Sequence, residues 1–546
     1  MKRASAKFLN RAVAAALAAG AAGTAAVMGA RALRAGADGA GQARGDGDPA
    51  GRAPGHAPEG APGHAPVGAP GHAVCPAPAG QAAAQAPSGG RDSATRPAPT
   101  GAEFAQPAAD RLTELVRFRT VFSPRRDEIE LEEFTGFIAA LERLYPAVHE
   151  ALEREFVNGH ALLFKWQGTA PDAAARPVVL MAHYDVVPVD PRDNWTWPGF
   201  SGRQEGGYVW GRGTLDDKGA VVVMLGAVEF LLDRGWTPAQ DIYLSFGNNE
   251  ETAGDSAAAA AALLHERGVE PWMVLDEGGA VAENAFPGLR PPAAVIGVAE
   301  KGILNLELLT RSPGGHASTP PKMGATARLA RAIMALEAQP FPQSMPGPVV
   351  EMLRRIGERS GFGLRLVTSN MWAFRGLLTR LFDLLGDETR AMIRTTVAVT
   401  ELEGSKGANV LASTARANAN IRIAVGEDVE GTLRRVRRII DDRSIELRVL
   451  EAHGPSPISA FDNEQFDLLS RCVGVSHPGA VVTPYVQTGA TDSRHFTGTC
   501  PAVYRFSPLL MDAEDRASIH AVNEKVRISA LGAGVVFYRE LLQGLG

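Results

Sequence analysis

The chain is 546 residues long, 45% hydrophobic and 21% charged, with a formal net charge of -6. That length exceeds one ordinary core, so two or more folded units are expected, and the charge argues against the basic stripe of a nucleic-acid binder. Its three cysteines, Cys75, Cys472 and Cys500, include no Cys-x-x-Cys pair, which argues against a thiolate metal site and leaves a Cys472–Cys500 disulfide open.

At the N-terminus Lys2, Arg3, Lys7 and Arg11 precede an uncharged run at 12–30 that Arg31 closes. A positive segment followed by an apolar one marks export. The run can span a bilayer by length but is mostly Ala and Gly, so residues 1–33 fit either a cleaved signal peptide or a membrane anchor. The protein is therefore expected to be periplasmic, extracellular or held at a membrane by its N-terminus. Residues 34–102 form a linker rich in Pro, Gly, Ala and His, with a short tandem repeat that places His56, His64 and His72. Such sequence has too little apolar surface to offset chain entropy and reads as a disordered tether.

Folded sequence is expected from residue 103. Residues 107–118 have helical spacing, and 177–182 is a continuous apolar run typical of a strand buried on both faces. A helix at 219–234, a strand at 241–246, a helix at 256–267 and a strand at 272–275 continue the alternation. This predicts an α/β fold with a mostly parallel sheet, over 103–301. The pattern changes across 302–455. A strand with one wet face is predicted at 302–310, helices at 325–336 and 429–440, and strands at 418–423 and 446–450. These predict an interrupting α+β unit, with a helical elaboration at 348–397. The α/β pattern resumes over 456–546.

Polar clusters stand where these elements end, and in open α/β sheets sites form beyond the strand ends. His183 and Asp185 are two apart in extended chain and face one way, a ligand beside an orienting carboxylate; a surface pair is the plainer alternative. The run from Trp210 to Gly219 turns on glycines and offers Asp216 and Asp217 just before a helix. Either could bridge two cations or simply cap the helix. Asn249-Glu250-Glu251 supplies adjacent carboxylates that diverge, one for metal and one for water, or an ordinary solvated pair. Asp276-Glu277-Gly278-Gly279 follows another strand, with a polar turn as its alternative. His520 stands alone in the run 518–524, where a structural role is the usual reading. No single cluster carries the case. Their order, with nitrogen and oxygen donors together, suits zinc, with cobalt or manganese as substitutes.

Together these clusters resemble the zinc aminoacylase and carboxypeptidase family, which includes succinyl-diaminopimelate desuccinylase and acetylornithine deacetylase. The carboxypeptidase S branch is most similar, on the stretch from Asp193-Asn194-Trp195 through Pro198-Gly199-Phe200-Ser201-Gly202 to Asp216-Asp217-Lys218-Gly219. The resemblance implies two Zn2+ per subunit, one held by His183 and Glu277, the other by Glu251 and His520, with Asp216 bridging and Asp217 outside that role. It implies that Asp185 orients the His183 side and that Glu250 is the general base acting on the shared water. Within 302–455 it implies a ferredoxin-like lid and dimerisation domain, a homodimer, and a lid histidine, His316, that stabilises the oxyanion. Asn409 resembles the lid asparagine that contacts substrate, and is equally a turn-forming residue. Arg494 is a fork for a substrate carboxylate or the partner of Asp492. The implied activity is metal-dependent cleavage of the amide bond of a C-terminal or N-acylated amino acid. Its substrate would be a small peptide or, in the aminoacylase alternative, an N-acyl amino acid. A binding protein on a dead hydrolase would need a lost ligand or base, and none is missing.

Overall fold

Continuous apolar runs such as Val178–His183, Ile242–Gly247 and Met273–Asp276 are buried along their whole length, because helices cover both faces of the sheet they enter. The computed structural model describes residues 100–545 apart from Pro287; the expected signal or anchor and nearly all of the linker lie outside the described residues. Among the described residues no helix is long and apolar enough to cross a membrane.

Among the described residues the larger sheet has ten strands. Val178–His183 lies between Ile242–Gly247 and Met273–Asp276 and is parallel to both, and Val503–Arg505 runs parallel to Met273–Asp276 on its other side. Val481–Gln487 runs parallel to Ala293–Glu300, while one edge is closed by the antiparallel strands Glu153–Val157 and Ala161–Trp166. The register sets His183 opposite Gly247. The segments bearing His183, Glu250 and Glu277 therefore leave the sheet at the same end.

Helices Gly101–Leu115, Lys218–Leu232 and Ile528–Gln543 pack on one another. The first and last approach so closely that a Cβ on Gly532 would fall inside the Gly101 carbonyl. The first helix begins six residues before the predicted 107, because Thr100 and Glu103 form a capping box ahead of Pro107. The proline sits inside the helix rather than opening it.

Residues 302–453 build a separate four-stranded antiparallel sheet, in the order Thr396–Glu403, Thr414–Ile423, Gly302–Arg311, Ile445–His453. Leu304, Leu306, Leu308 and Ile421 pack there against Leu329 and Val436 of helices Ala325–Ala338 and Val429–Ile440. The strand predicted to have one wet face is instead covered on both. Asn305 is bonded to Glu451 and Asn420, and Glu307 lies between Arg416 and Arg448, so neighbouring strands supply partners for its polar side. The helical elaboration is Gly347–Glu358, Phe362–Thr368, Met371–Leu385 and Asp387–Met392; the end of the predicted 348–397 segment is strand. Cys472 and Cys500 are buried free thiols, so no disulfide joins them.

Candidate metal centre

Asp216 is the hub. Its Oδ1 lies 3.0 Å from Nε2 of His183, and its Oδ2 lies 3.0 Å from Nε2 of His520. The same His520 nitrogen is 3.0 Å from Oε2 of Glu251. His183, Asp216 and Glu251 offer donor atoms within 4.8 Å of one another, and so do His183, Asp217 and Glu277. The five expected ligands, distributed over more than 330 residues of sequence, thus surround one centre.

Local structure explains each placement. Gly213 has φ +87°, and a Cβ there would come within 2.7 Å of Val186, so the loop before Asp216 needs a glycine. Asp217 is the N-cap residue of Lys218–Leu232, yet its side chain does not cap that helix. Its Oδ2 accepts the His183 backbone N–H at 3.3 Å instead. Asp217, expected outside the bridging role, thus stands beside His183 and Glu277. His520 takes a left-handed backbone, φ +59°, a conformation uncommon for a residue with a Cβ and one that aims its ring at Asp216.

Asp185 is fully buried. Its Oδ1 and Oδ2 accept the backbone N–H groups of Glu250 and Glu251, each at 3.1 Å, and its backbone carbonyl lies 3.1 Å from Nδ1 of His183. One residue therefore sets both the imidazole and the paired-glutamate turn, beyond the orienting role expected for it.

Two residues that sequence reasoning assigned no role knit the centre together. The buried Glu524 accepts the N–H of Leu215 and Asp216 at Oε1, while Oε2 takes Nη1 of buried Arg212 at 2.6 Å. Arg212 also donates to the Ala521 carbonyl. The Asp216 loop and the His520 loop are thereby one unit. A single acid four residues past a histidine has no periodicity to announce it.

The electrostatics ask for a cation. Burial pushes the Glu250 carboxyl well above its usual range, with Asp492, Asp216 and Asp185 adding to the effect. Burial does the same to Glu277, reinforced by Asp216 and Asp217, and raises Glu251 less far. Burial also moves Asp492 up to about 7, with Asp276 contributing. Hydrogen bonds that His520 donates to Asp216 and Glu251 hold its pKa up at about 10. Burial opposes ionisation of Asp216, but the two histidines outweigh it and its carboxyl falls below the usual range. Among the described residues, buried Oε1 of Glu251 and Oδ1 of Asp217 have no hydrogen-bond partner. Crowded acids with idle oxygens and two imidazoles fit a divalent cation.

The remaining candidates stand apart from this cluster. His316 is exposed, its Nδ1 2.7 Å from the Ser318 hydroxyl, on a two-residue strand paired with Val410–Leu411. The Asn409 carbonyl accepts the Ala317 N–H, so His316 and Asn409 share one small ribbon, and no hydrogen bond or ion pair among the described residues joins them to the centre. Arg494 does not pair with Asp492; it donates to the Thr491 carbonyl at 3.0 Å and keeps a buried, unpartnered Nε. It lines a cavity of about 330 Å³ with Glu300, Lys301, His453 and His495. Arg422, which sequence reasoning passed over, lies on Thr414–Ile423 of the smaller sheet. Burial lowers its pKa, and it feels the charges of Glu451, Glu250, Arg494 and Glu300. It therefore belongs to the surroundings of the centre.

The chain is 36% identical over 430 residues to the N-fatty-acyl-amino acid synthase/hydrolase PM20D1 of Homo sapiens, covering 78% of this chain and 84% of that protein. It is 32% identical over 445 residues to probable carboxypeptidase S-like 2 of Dictyostelium discoideum, covering 80% and 84%. In fold it is similar to an M20 family metallo-carboxypeptidase from Sulfolobus solfataricus, with a TM-score of 0.59 and 16% identity over 80% of this chain and 98% of that one. Human carnosine dipeptidase 1 superposes with a TM-score of 0.57 and 15% identity, covering 81% and 97%. The sequence pattern of peptidase family M20/M25/M40 spans residues 179–544, from the strand that carries His183 to beyond His520. That span contains every residue gathered around Asp216, and the chain belongs to peptidase family M20/M25/M40.

Proposed function

We propose that the protein hydrolyses the amide bond that joins an acyl group to an amino acid with a free carboxylate, using two divalent cations, zinc in the native enzyme. The observation that carries this reading is the position of Asp216, one oxygen toward His183 and the other toward His520. His183 and Glu277 would hold one ion, Glu251 and His520 the second, and Asp216 both. Bound there, the ions supply Lewis acidity to the scissile carbonyl and make water nucleophilic at neutral pH.

The protein's own groups do the rest. Glu250 takes the proton from water and returns it to the departing amine nitrogen, as a positioned general base does. Asp185 fixes the backbone of Glu250 and Glu251, so the base and the neighbouring ligand cannot move independently. Arg494 and Arg422 are the cations for the substrate carboxylate. His316 donates to the oxyanion. Because His316 lies off the centre within one chain, this role calls for a second copy whose 302–455 lid reaches across, and hence for a homodimer. The N-terminal run remains an export signal or anchor in this reading.

Relatives named as N-fatty-acyl-amino acid synthase/hydrolase and as carboxypeptidase S-like favour acylated amino acids and peptide C-termini, respectively. Turnover of an N-acyl amino acid series beside dipeptides separates the two. Chelation is expected to abolish turnover and lower Tm by about 2–5 °C, with zinc restoring both, since a site filled to a hundred times its Kd adds roughly 2.7 kcal/mol. Unaltered turnover after complete metal removal would overturn the proposal. Arg422→Met is expected to raise KM about 10- to 100-fold with little change in kcat, as loss of one charge-assisted contact predicts. An unchanged KM removes Arg422 from substrate binding.

A further inference from the structure

The helical elaboration carries a surface that hydrolysis does not use. Phe362 is 82% exposed and Trp372 86%, and Leu366 is exposed as well. On Phe362–Thr368, Phe362 and Leu366 are four apart and share a face with Arg365, while Val367 turns inward. On Met371–Leu385, Phe374, Leu378 and Phe382 form the buried stripe. Trp372 lies two residues before that stripe and so about 200° round the helix, on the side opposite the core.

Charge singles this surface out. Residues 359–382 contain Arg359, Arg365, Arg375 and Arg380 and no Asp or Glu, in a chain whose net charge is -6. All four arginines are exposed, and among the described residues none of them is in an ion pair. Nearby acids are already taken: Glu351 and Glu358 pair with Arg354, and Asp383 with Arg390 and Arg394. Arg375 donates only to the Met345 carbonyl.

We propose that Phe362–Thr368 and the first turns of Met371–Leu385 dock on an anionic lipid bilayer surface, with Phe362, Leu366 and Trp372 entering the headgroup boundary and the arginines meeting lipid phosphates. Exposed aromatic and aliphatic side chains among unpaired cations, with no acid between them, match the chemistry of that boundary. A second copy of the chain fits less well, because a two-fold contact on this face would set arginines against arginines.

Hydrogen exchange of the full chain tests this, with vesicles of phosphatidylcholine alone and with about one third phosphatidylglycerol, which should bind at least roughly tenfold tighter. Amides of residues 362–380 are expected to slow only with the anionic vesicles. The double variant Phe362→Ser/Trp372→Ser should lose that protection while keeping wild-type turnover of a short soluble substrate. Because the readout is local, attachment through the N-terminal segment does not mimic it. Unchanged exchange at 362–380 on anionic vesicles overturns the proposal. So does protection that rises with protein concentration in the absence of lipid, which would assign the face to a second copy.

Discussion

Glu250→Gln is expected to lower kcat by about 10²–10⁴-fold, the usual contribution of a positioned general base, while bound metal is retained. Glutamine keeps the shape and cannot accept the proton. The turn that holds it is secured by backbone N–H groups on Asp185, which the substitution does not touch. Burial, and after it the neighbouring acids, opposes a charge at this position, so a neutral amide there should leave stability unchanged or raise it slightly. Metal content by elemental analysis, beside kcat on an N-acyl amino acid and a dipeptide, decides the matter. Turnover at the wild-type rate would remove Glu250 as base, and loss of metal would make it a ligand instead.

Glu524→Ala is expected to cost about 3–5 kcal/mol of stability and to weaken metal binding, although Glu524 is not among the proposed ligands. Its removal strands the buried Arg212 guanidinium and leaves the Leu215 and Asp216 N–H groups without an acceptor. Glu524→Gln keeps an acceptor for those two N–H groups and loses only the charge, so it should fall between wild type and alanine. Denaturant midpoints with and without zinc distinguish the two effects. If the alanine variant matches wild type in both, the two loops are held by something other than this carboxylate.

What was legible in the chain follows from the reach of each interaction. His183, Glu250 and Glu277 stand at the ends of apolar runs that only a doubly covered strand requires, and the structure puts all three at one end of the sheet. The meeting of Asp216 with His520 spans some 300 residues, and only the family resemblance indicated it; no local spacing encodes a contact of that range. Asp217 falls outside the bridging position of the family pattern, and nothing local in sequence shows that its carboxylate reaches the His183 backbone. Arg212 and Glu524 are single charges that pair across some 300 residues, and Arg422 is a lone cation on a strand, so burial alone reveals them. The 302–310 strand differs from its expected exposure for the same reason: alternation marks a polar face but not the neighbours that cover it. The start of the first helix was a different error, because Thr100 and Glu103 carried a capping signal that Pro107 obscured.

The seat of Gly101–Leu115 against Ile528–Gln543 bears on how the protein is made. A ribosome releases the opening helix more than four hundred residues before the one it rests on. Until that later helix emerges, the early apolar side chains Leu112 and Leu115 lack part of their burial. Closure of this part of the core thus waits on the later helix, and the same contact should let a circular permutant join these two helices with a bridge.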